Sequence, residues 1–428
     1  MATPLPGGTA LRRALTPAVA AAVALMLAAA PALATVTAET FGGDTVSIQG
    51  DANGDVITVS CAANVANVNG TAPLPALACT AVQYVDVEAT LGSSTVNLGG
   101  LTKASFANLR ETSVAVDDGY VDSVTGSEGR DVVHADFNDD VSTGGGDDWV
   151  EGAGSASGLE GNDTFREVSS VQGGPGDDLV VNPGSGPLDG GTGFDTLVYD
   201  YSTFTSQQAV VFTLTDASIN GVVATAGIEA YDIRASDGEK SDFIDSQGYS
   251  GRVTFHGRAG KDRFVGGPGA DVADVGAGDD AVDPGPGSDF VAAGDGDDAV
   301  SVRDGFGDVV ECGPGTDSVT ADRFDVLSGC ENVSLLAPET SQVSGPLKVT
   351  KGDTATFTFG SPVAGSSFEC RVDAGAFTPC ASPFALKISK LAAGQHMFLV
   401  RAVQPAGNAD QSPSSFIFKV KNKKKQQQ

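Results

Sequence analysis

Histidine is almost missing from this chain. Only His134, His256 and His396 occur among 428 residues, and no GxSxG, HExxH or P-loop motif accompanies them. A hydrolytic triad needs a nucleophile beside a base, and a zinc site needs closely spaced histidines or CxxC pairs, so neither is expected. Positive charge is scarce as well. Twenty-five Lys and Arg stand against 55 Asp and Glu, a formal net charge of -30. Such a surface repels phosphate backbones, which excludes nucleic acid as the expected partner. No apolar run of spanning length follows residue 34, so no transmembrane segment is expected. The hydrophobic share of 41% is too high for a solvated acidic tail, which excludes disorder as the reason for the charge.

What the chain does contain is unevenly placed. Residues 1–34 read as a signal peptide: Arg12 and Arg13 open it, residues 18–30 are apolar, and Ala32-Leu33-Ala34 fits a cleavage site. The product is expected to be secreted and extracellular. Six cysteines fall into close pairs, Cys61 with Cys79, Cys312 with Cys330 and Cys370 with Cys380. In an exported protein these read as local disulfides, each stabilising by roughly 2–3 kcal/mol in the chain-entropy picture.

The body is organised by a nine-residue period. From Gly257 the sequence reads GRAGKDRFV, GGPGADVAD, VGAGDDAVD, PGPGSDFVA and AGDGDDAVS, with Asp262, Asp271, Asp280, Asp289 and Asp298 in phase. One residue slips at GFGDVVE, and the phase resumes in CGPGTDSVT with Asp317. Less regular copies carry Asp131, Asp148, Asp163, Asp178 and Asp195, and weaker ones surround Asp122, Asp139 and Asp242. The first half of a unit is a tight turn in which glycine supplies positive φ. The second half alternates like a short strand, with Val180, Leu197, Phe264, Val282, Val291 or Val300 facing inward. Carboxylates and turn carbonyls are hard oxygen donors of the kind calcium takes. A single unit buries almost nothing, so stability must come from stacking, with one carboxylate row and one apolar row.

These nines resemble the RTX, or hemolysin-type, calcium-binding repeat GGxGxDxUx. The resemblance implies a parallel β-roll with several calcium ions held between successive turns. It assigns ligand roles to Asp131, Asp148, Asp163, Asp178, Asp195, Asp262, Asp271, Asp280, Asp289, Asp298 and Asp317. It extends them to the turn glycines Gly174, Gly176, Gly191, Gly193, Gly267, Gly269, Gly276, Gly278, Gly285, Gly287, Gly294 and Gly296. The chain departs from the family in three ways. It is expected to begin with a cleavable signal, several units replace the first glycine (Val275, Pro284, Ala293, Cys312), and Ala273 is a poor inward residue.

Around the repeats, residues 35–120 read as a β-rich cap of broader solenoid turns, and 121–337 as the repeat solenoid. Residues 199–236 interrupt it as an enlarged turn or hairpin excursion. Composition makes 338–345 a linker. Residues 346–422 carry short strand-like runs and resemble the Ig-like β-sandwich domains of bacterial surface and secreted proteins. Residues 423–428 end a lysine-rich tail that reads as a solvated, disordered end, with attraction to an anionic wall or membrane surface as the alternative. The expected function is a calcium-stabilised extracellular scaffold or adhesion module without catalysis, meeting a cell-surface or extracellular glycan or protein. Two alternatives remain open. One is a lyase-like enzyme on acidic polysaccharide using the few bases of the body, chiefly Arg258, Lys261 and Arg263. The other is a metal-free structural spacer.

Overall fold

The computed structural model describes residues 35–423, apart from 52–53, 203–208, 237, 323, 336–339, 362–365, 404–408 and 411. The expected signal segment, most of the basic tail, the turn at 405–408 and the start of the expected linker lie outside the described residues. Among those described, secondary structure is strand, turn and two single 3₁₀ turns, with no α-helix. No helix there is long and apolar enough to cross a membrane.

The body is a solenoid with two ladders of strands facing each other. The first is a 15-stranded sheet. It opens with Val36–Phe41 antiparallel to Thr45–Gly50, and every later neighbour is parallel as far as Val326–Ser328. The second runs from Val56–Ala62 to Asn332–Leu335. Each strand is only a few residues long because the apolar alternation lasts only that long before the next glycine turn. One or two apolar residues per strand point inward. Val150, Phe165, Val180 and Leu197 line the first face, and Val141, Ala156, Val171 and Leu188 the second, all buried in one core. Fully burying such side chains is worth about 1.5–3 kcal/mol each, and stacking makes that gain continuous.

Register decides where the aspartates go. Val272 pairs with Phe290 and Ala281 with Ala299, so vertical neighbours in the repeat block are 18 residues apart. A nonapeptide is therefore half a coil, and successive units alternate between the two faces. The single carboxylate row expected from the nine-residue period is corrected to two rows.

Within the interval 199–236, residues 211–226 form an antiparallel excursion in the second ladder, while Ala230–Arg234 is a parallel strand of the first. Val211–Thr215 pairs with Ser218–Ile219, which pairs with Val223–Ala226. Its outer strands join Leu188–Thr192 on one side and Phe243–Gly248 on the other. A hairpin of Val56–Ala62 with Val65–Val68 carries the Cys61–Cys79 disulfide near the N-terminal end, and Cys312–Cys330 ties the last coils.

The C-terminal unit has its own apolar cluster, in which Phe357 stacks on Phe398 at 4.2 Å and meets Phe418 edge-on. Lys348–Thr350, Ser414–Lys421, Gly394–Val403, Ser367–Val372 and Thr378–Cys380 form one sheet, and Thr354–Phe357 pairs with Phe384–Lys387. The Cys370–Cys380 disulfide joins two neighbouring antiparallel strands. Residues 340–345, read as linker from composition, pack into this unit. Thr340 Oγ1 donates to Asp410, Val343 is buried, and Ser344 exchanges backbone bonds with Thr358. Polar composition alone does not distinguish a linker from an edge that pairs through its backbone.

Candidate metal centre

Each row is built by one repeated contact. An aspartate stands just before a short strand, and its backbone N–H donates to a carboxylate oxygen of the aspartate one coil further on. On the first face, Asp131 N–H donates to Asp148, Asp148 to Asp163, Asp163 to Asp178 and Asp178 to Asp195, at 2.7–2.9 Å. On the same face Asp271 N–H donates to Asp289, and Asp289 to Asp308. On the second face the chain is Asp242, Asp262, Asp280, Asp298 and Asp317. The aspartate ladder is thus a structural device in its own right, with one charge-assisted bond per coil.

That bond uses only one oxygen, Oδ1. The other, Oδ2, is buried without a hydrogen-bond partner in Asp148, Asp163, Asp178, Asp195, Asp262, Asp280, Asp289, Asp298 and Asp317. All of these residues are at most 3% exposed. Asp122 and Asp308, read as a weak copy and a register slip, carry the same orphaned oxygen. Asp131 and Asp271 differ, because Ser127 N–H and Gly267 N–H satisfy their Oδ2 atoms. They sit in the rows without offering the same free donor.

Burial has the expected electrostatic effect. It pushes Asp163, Asp262 and Asp289 up to about 7, with the backbone N–H bond opposing the shift and neighbouring aspartates adding to it. Asp178, Asp280, Asp298 and Asp308 are pushed up to about 6, again chiefly by burial. A buried carboxylate oxygen with no donor is costly. A divalent cation relieves that cost, and the donor set suits one. Beside Gly173, the position of a β-carbon would lie 2.1 Å from Asp178 Oδ2 and 2.3 Å from the Gly190 carbonyl. Beside Gly158 it would lie 1.9 Å from Asp163 Oδ2 and 2.7 Å from the Gly173 carbonyl. Carboxylate and carbonyl oxygens from two coils thus converge on a space that only glycine leaves open. Hard oxygens of this kind fit calcium, whose bound charge would be shared between coils.

The named glycines are explained partly by φ and partly by closeness. Gly174, Gly176, Gly191, Gly193, Gly276, Gly278, Gly285, Gly294 and Gly296 have positive φ. Gly267, Gly269 and Gly287 do not, so the left-handed turn expected of every unit is absent there. What they share is close approach: a β-carbon at Gly269 would lie 2.1 Å from the Gly251 carbonyl, and one at Gly287 2.2 Å from that of Gly269.

Sequence reasoning missed several members. Glu229 and Glu331 end a run of the ladder by accepting from Asp195 and Asp317, and Asp325 accepts from Asp308. The signal they share with the aspartates is position, an acid immediately before a short strand. They were hidden because none lies in a glycine-rich turn. Ala273, a weak inward residue by size, is fully buried.

The other named side chains are engaged elsewhere. His134 lies 3.2 Å from Glu151, His256 lies between Asp232 and Asp274, and His396 pairs with Asp373. Lys261 is bound to Asp279, and Arg263 stacks over Phe243.

Comparison with known proteins agrees with this geometry. Residues 117–150 and 256–291 match the family of RTX calcium-binding nonapeptide repeats, in four copies. These repeats indicate calcium binding. No curated protein matches the chain.

Proposed function

We propose that this is a secreted, calcium-stabilised scaffold or adhesion protein without catalytic activity, whose solenoid presents a C-terminal Ig-like domain. The observation that carries the reading is the double row of buried carboxylates, most of them with one oxygen held by an N–H of the preceding coil and one left for a cation. Two further features support export. Three disulfides join all six cysteines, as suits an oxidising compartment, and residues 1–34 have the pattern of a signal. The non-catalytic reading draws support from Lys261 and Arg263, which the acidic-polysaccharide alternative needs free and which the fold commits to Asp279 and Phe243. The partner is expected to be a cell-surface or extracellular glycan or protein. Expression of the full chain in a secreting host tests the export half. The culture medium should contain protein beginning at residue 35, with no free thiol. Retention in the cytoplasm with reduced cysteines would overturn it. Incubation of that product with acidic polysaccharides tests the other half, since release of unsaturated fragments would restore the lyase.

A further inference from the structure

Four loops in the two rows do not follow the glycine pattern. They read Asp118-Gly119-Tyr120-Val121-Asp122, Asp136-Phe137-Asn138-Asp139, Asp304-Gly305-Phe306-Gly307-Asp308 and Asp322-Arg323-Phe324-Asp325. Each opens with an aspartate that accepts from the N–H two residues on: Tyr120, Asn138, Phe306 or Phe324. Each closes with an aspartate of the row. They differ by one residue in length, and that residue decides the state of the closing carboxylate. In the short loops the opening N–H reaches it: Asp136 N–H donates to Asp139 Oδ2 at 2.8 Å, and Asp322 N–H to Asp325 Oδ2 at 2.6 Å. In the long loops it does not, and Oδ2 of Asp122 and of Asp308 is buried without a partner.

At the second long loop a third carboxylate joins. One carboxylate oxygen each from Asp289, Asp304 and Asp308 lies within 4.8 Å of the others. Asp289 and Asp308 are 3% and 0% exposed, and both carry an orphaned Oδ2. Asp304 is held in place by Gly287 N–H at 2.9 Å and Phe306 N–H at 2.8 Å, which leaves lone pairs on both of its oxygens. Asp304 belongs to no nonapeptide and exists because the repeat slips here.

We propose that Asp289, Asp304 and Asp308 form a three-carboxylate calcium site, distinct in composition from the repeat sites, and that the short loops closing at Asp139 and Asp325 close on their own backbone instead of on a cation. The proposal rests on the calcium reading above and goes beyond it by assigning a ligand outside the repeat. Three carboxylates around a divalent ion leave a net negative charge, so this site should hold calcium more tightly than its neighbours and prefer a trivalent ion more strongly.

The test is calorimetric calcium titration of the full mature chain and of two matched variants, Asp304→Asn and Asp322→Asn, each keeping an oxygen acceptor in its loop. Asp304→Asn should weaken one calcium by about tenfold or more. Asp322→Asn, which alters a carboxylate that accepts from Gly305 N–H beside the site, should leave the number of calcium ions unchanged and weaken binding far less than Asp304→Asn. Lanthanum added to calcium-loaded wild type provides a readout without mutation, and its first equivalent should displace one calcium before the rest. An Asp304→Asn isotherm superimposable on wild type, or lanthanum that displaces all calcium in a single phase, overturns the proposal. A wild-type chain that binds no calcium overturns instead the reading beneath it.

Discussion

Replacing Gly278 by alanine puts the stacking argument under the greatest strain. Gly278 has φ +142°, and a β-carbon there would lie 1.4 Å from the carbonyl oxygen of Gly260, one coil away. An ordinary contact begins near 3.4 Å. Relief therefore requires a shift of about 2 Å, against a strand spacing of about 4.8 Å. Neither group can rotate away, because the carbonyl is backbone and the β-carbon is fixed by the backbone that carries it. The shift would break the bonds from Gly260 N–H to the Ala277 carbonyl and from Gly278 N–H to the Asp295 carbonyl. Two such bonds at about 1 kcal/mol each, with about 1–3 kcal/mol of backbone strain, give a loss of about 3–5 kcal/mol. Gly305→Ala is the matched control. Its φ is +94°, but nothing lies within 4 Å of the new carbon, so only strain of about 1–2 kcal/mol remains. Urea unfolding of both variants in saturating calcium, followed by far-ultraviolet circular dichroism, measures the difference. Equal midpoints would refute the claim that coil spacing, rather than turn conformation, selects this glycine.

Further outcomes follow from the same geometry. In chelator the repeat body should be more stable near pH 5 than near pH 8. Asp163, Asp262 and Asp289 are raised to about 7 by burial, so their contribution is fully present below the unfolded value of 3.8 and is lost as pH rises through about 7. Thermal melts across that range would show it, and a melting temperature that rises with pH in chelator would contradict it. In the C-terminal unit, the bond to the Asp373 carboxylate raises His396; burial pushes Asp373 up, but the bonds it accepts from His396 and Met397 N–H together lower it. Stability from the raised histidine is complete below 6.5 and should decline as pH passes through its folded value. Histidine titration by nuclear magnetic resonance should give a midpoint above 6.5, and Asp373→Asn should bring it down. Cys312→Ser with Cys330→Ser opens an 18-residue link at the end of the solenoid and should cost about 3 kcal/mol, visible as earlier amide exchange in the strands from Val309 onward. Uniform exchange in both forms would show that the last coils do not depend on that link.

Much of the fold was legible because the repeat writes its physics into composition. Glycine marks the turns, aspartate the strand entrances, and the alternating apolar residues the core, so Val180, Leu197, Phe264 and Val291 are placed inward by sequence alone. The alternation between faces was not legible. A nine-residue period is compatible with one unit per coil or two, and only strand register separates them. The site was legible in its aspartates but not in their division of labour. Asp131 and Asp271 share the motif with Asp148 and Asp280, yet a nearby N–H satisfies their second oxygen. Asp325, Glu229 and Glu331 act in the rows from turns that lack the glycine signature. The edge at 340–345 escaped notice because its pairing is through backbone groups that leave no mark on polarity.

The central claim is that buried carboxylates make folding of the repeat body depend on calcium, and calcium titration followed by circular dichroism tests it most directly. The full mature chain should lack much of its β-signal in chelator and gain it cooperatively as calcium is added, with magnesium a poor substitute because it demands a tight octahedron. Asp280→Asn, which alters a buried row carboxylate, should raise the calcium midpoint, whereas Asp283→Asn, which alters an exposed side chain, should leave it in place. An identical spectrum in chelator and in millimolar calcium, with no difference between the two variants, would contradict the account and leave a metal-free solenoid.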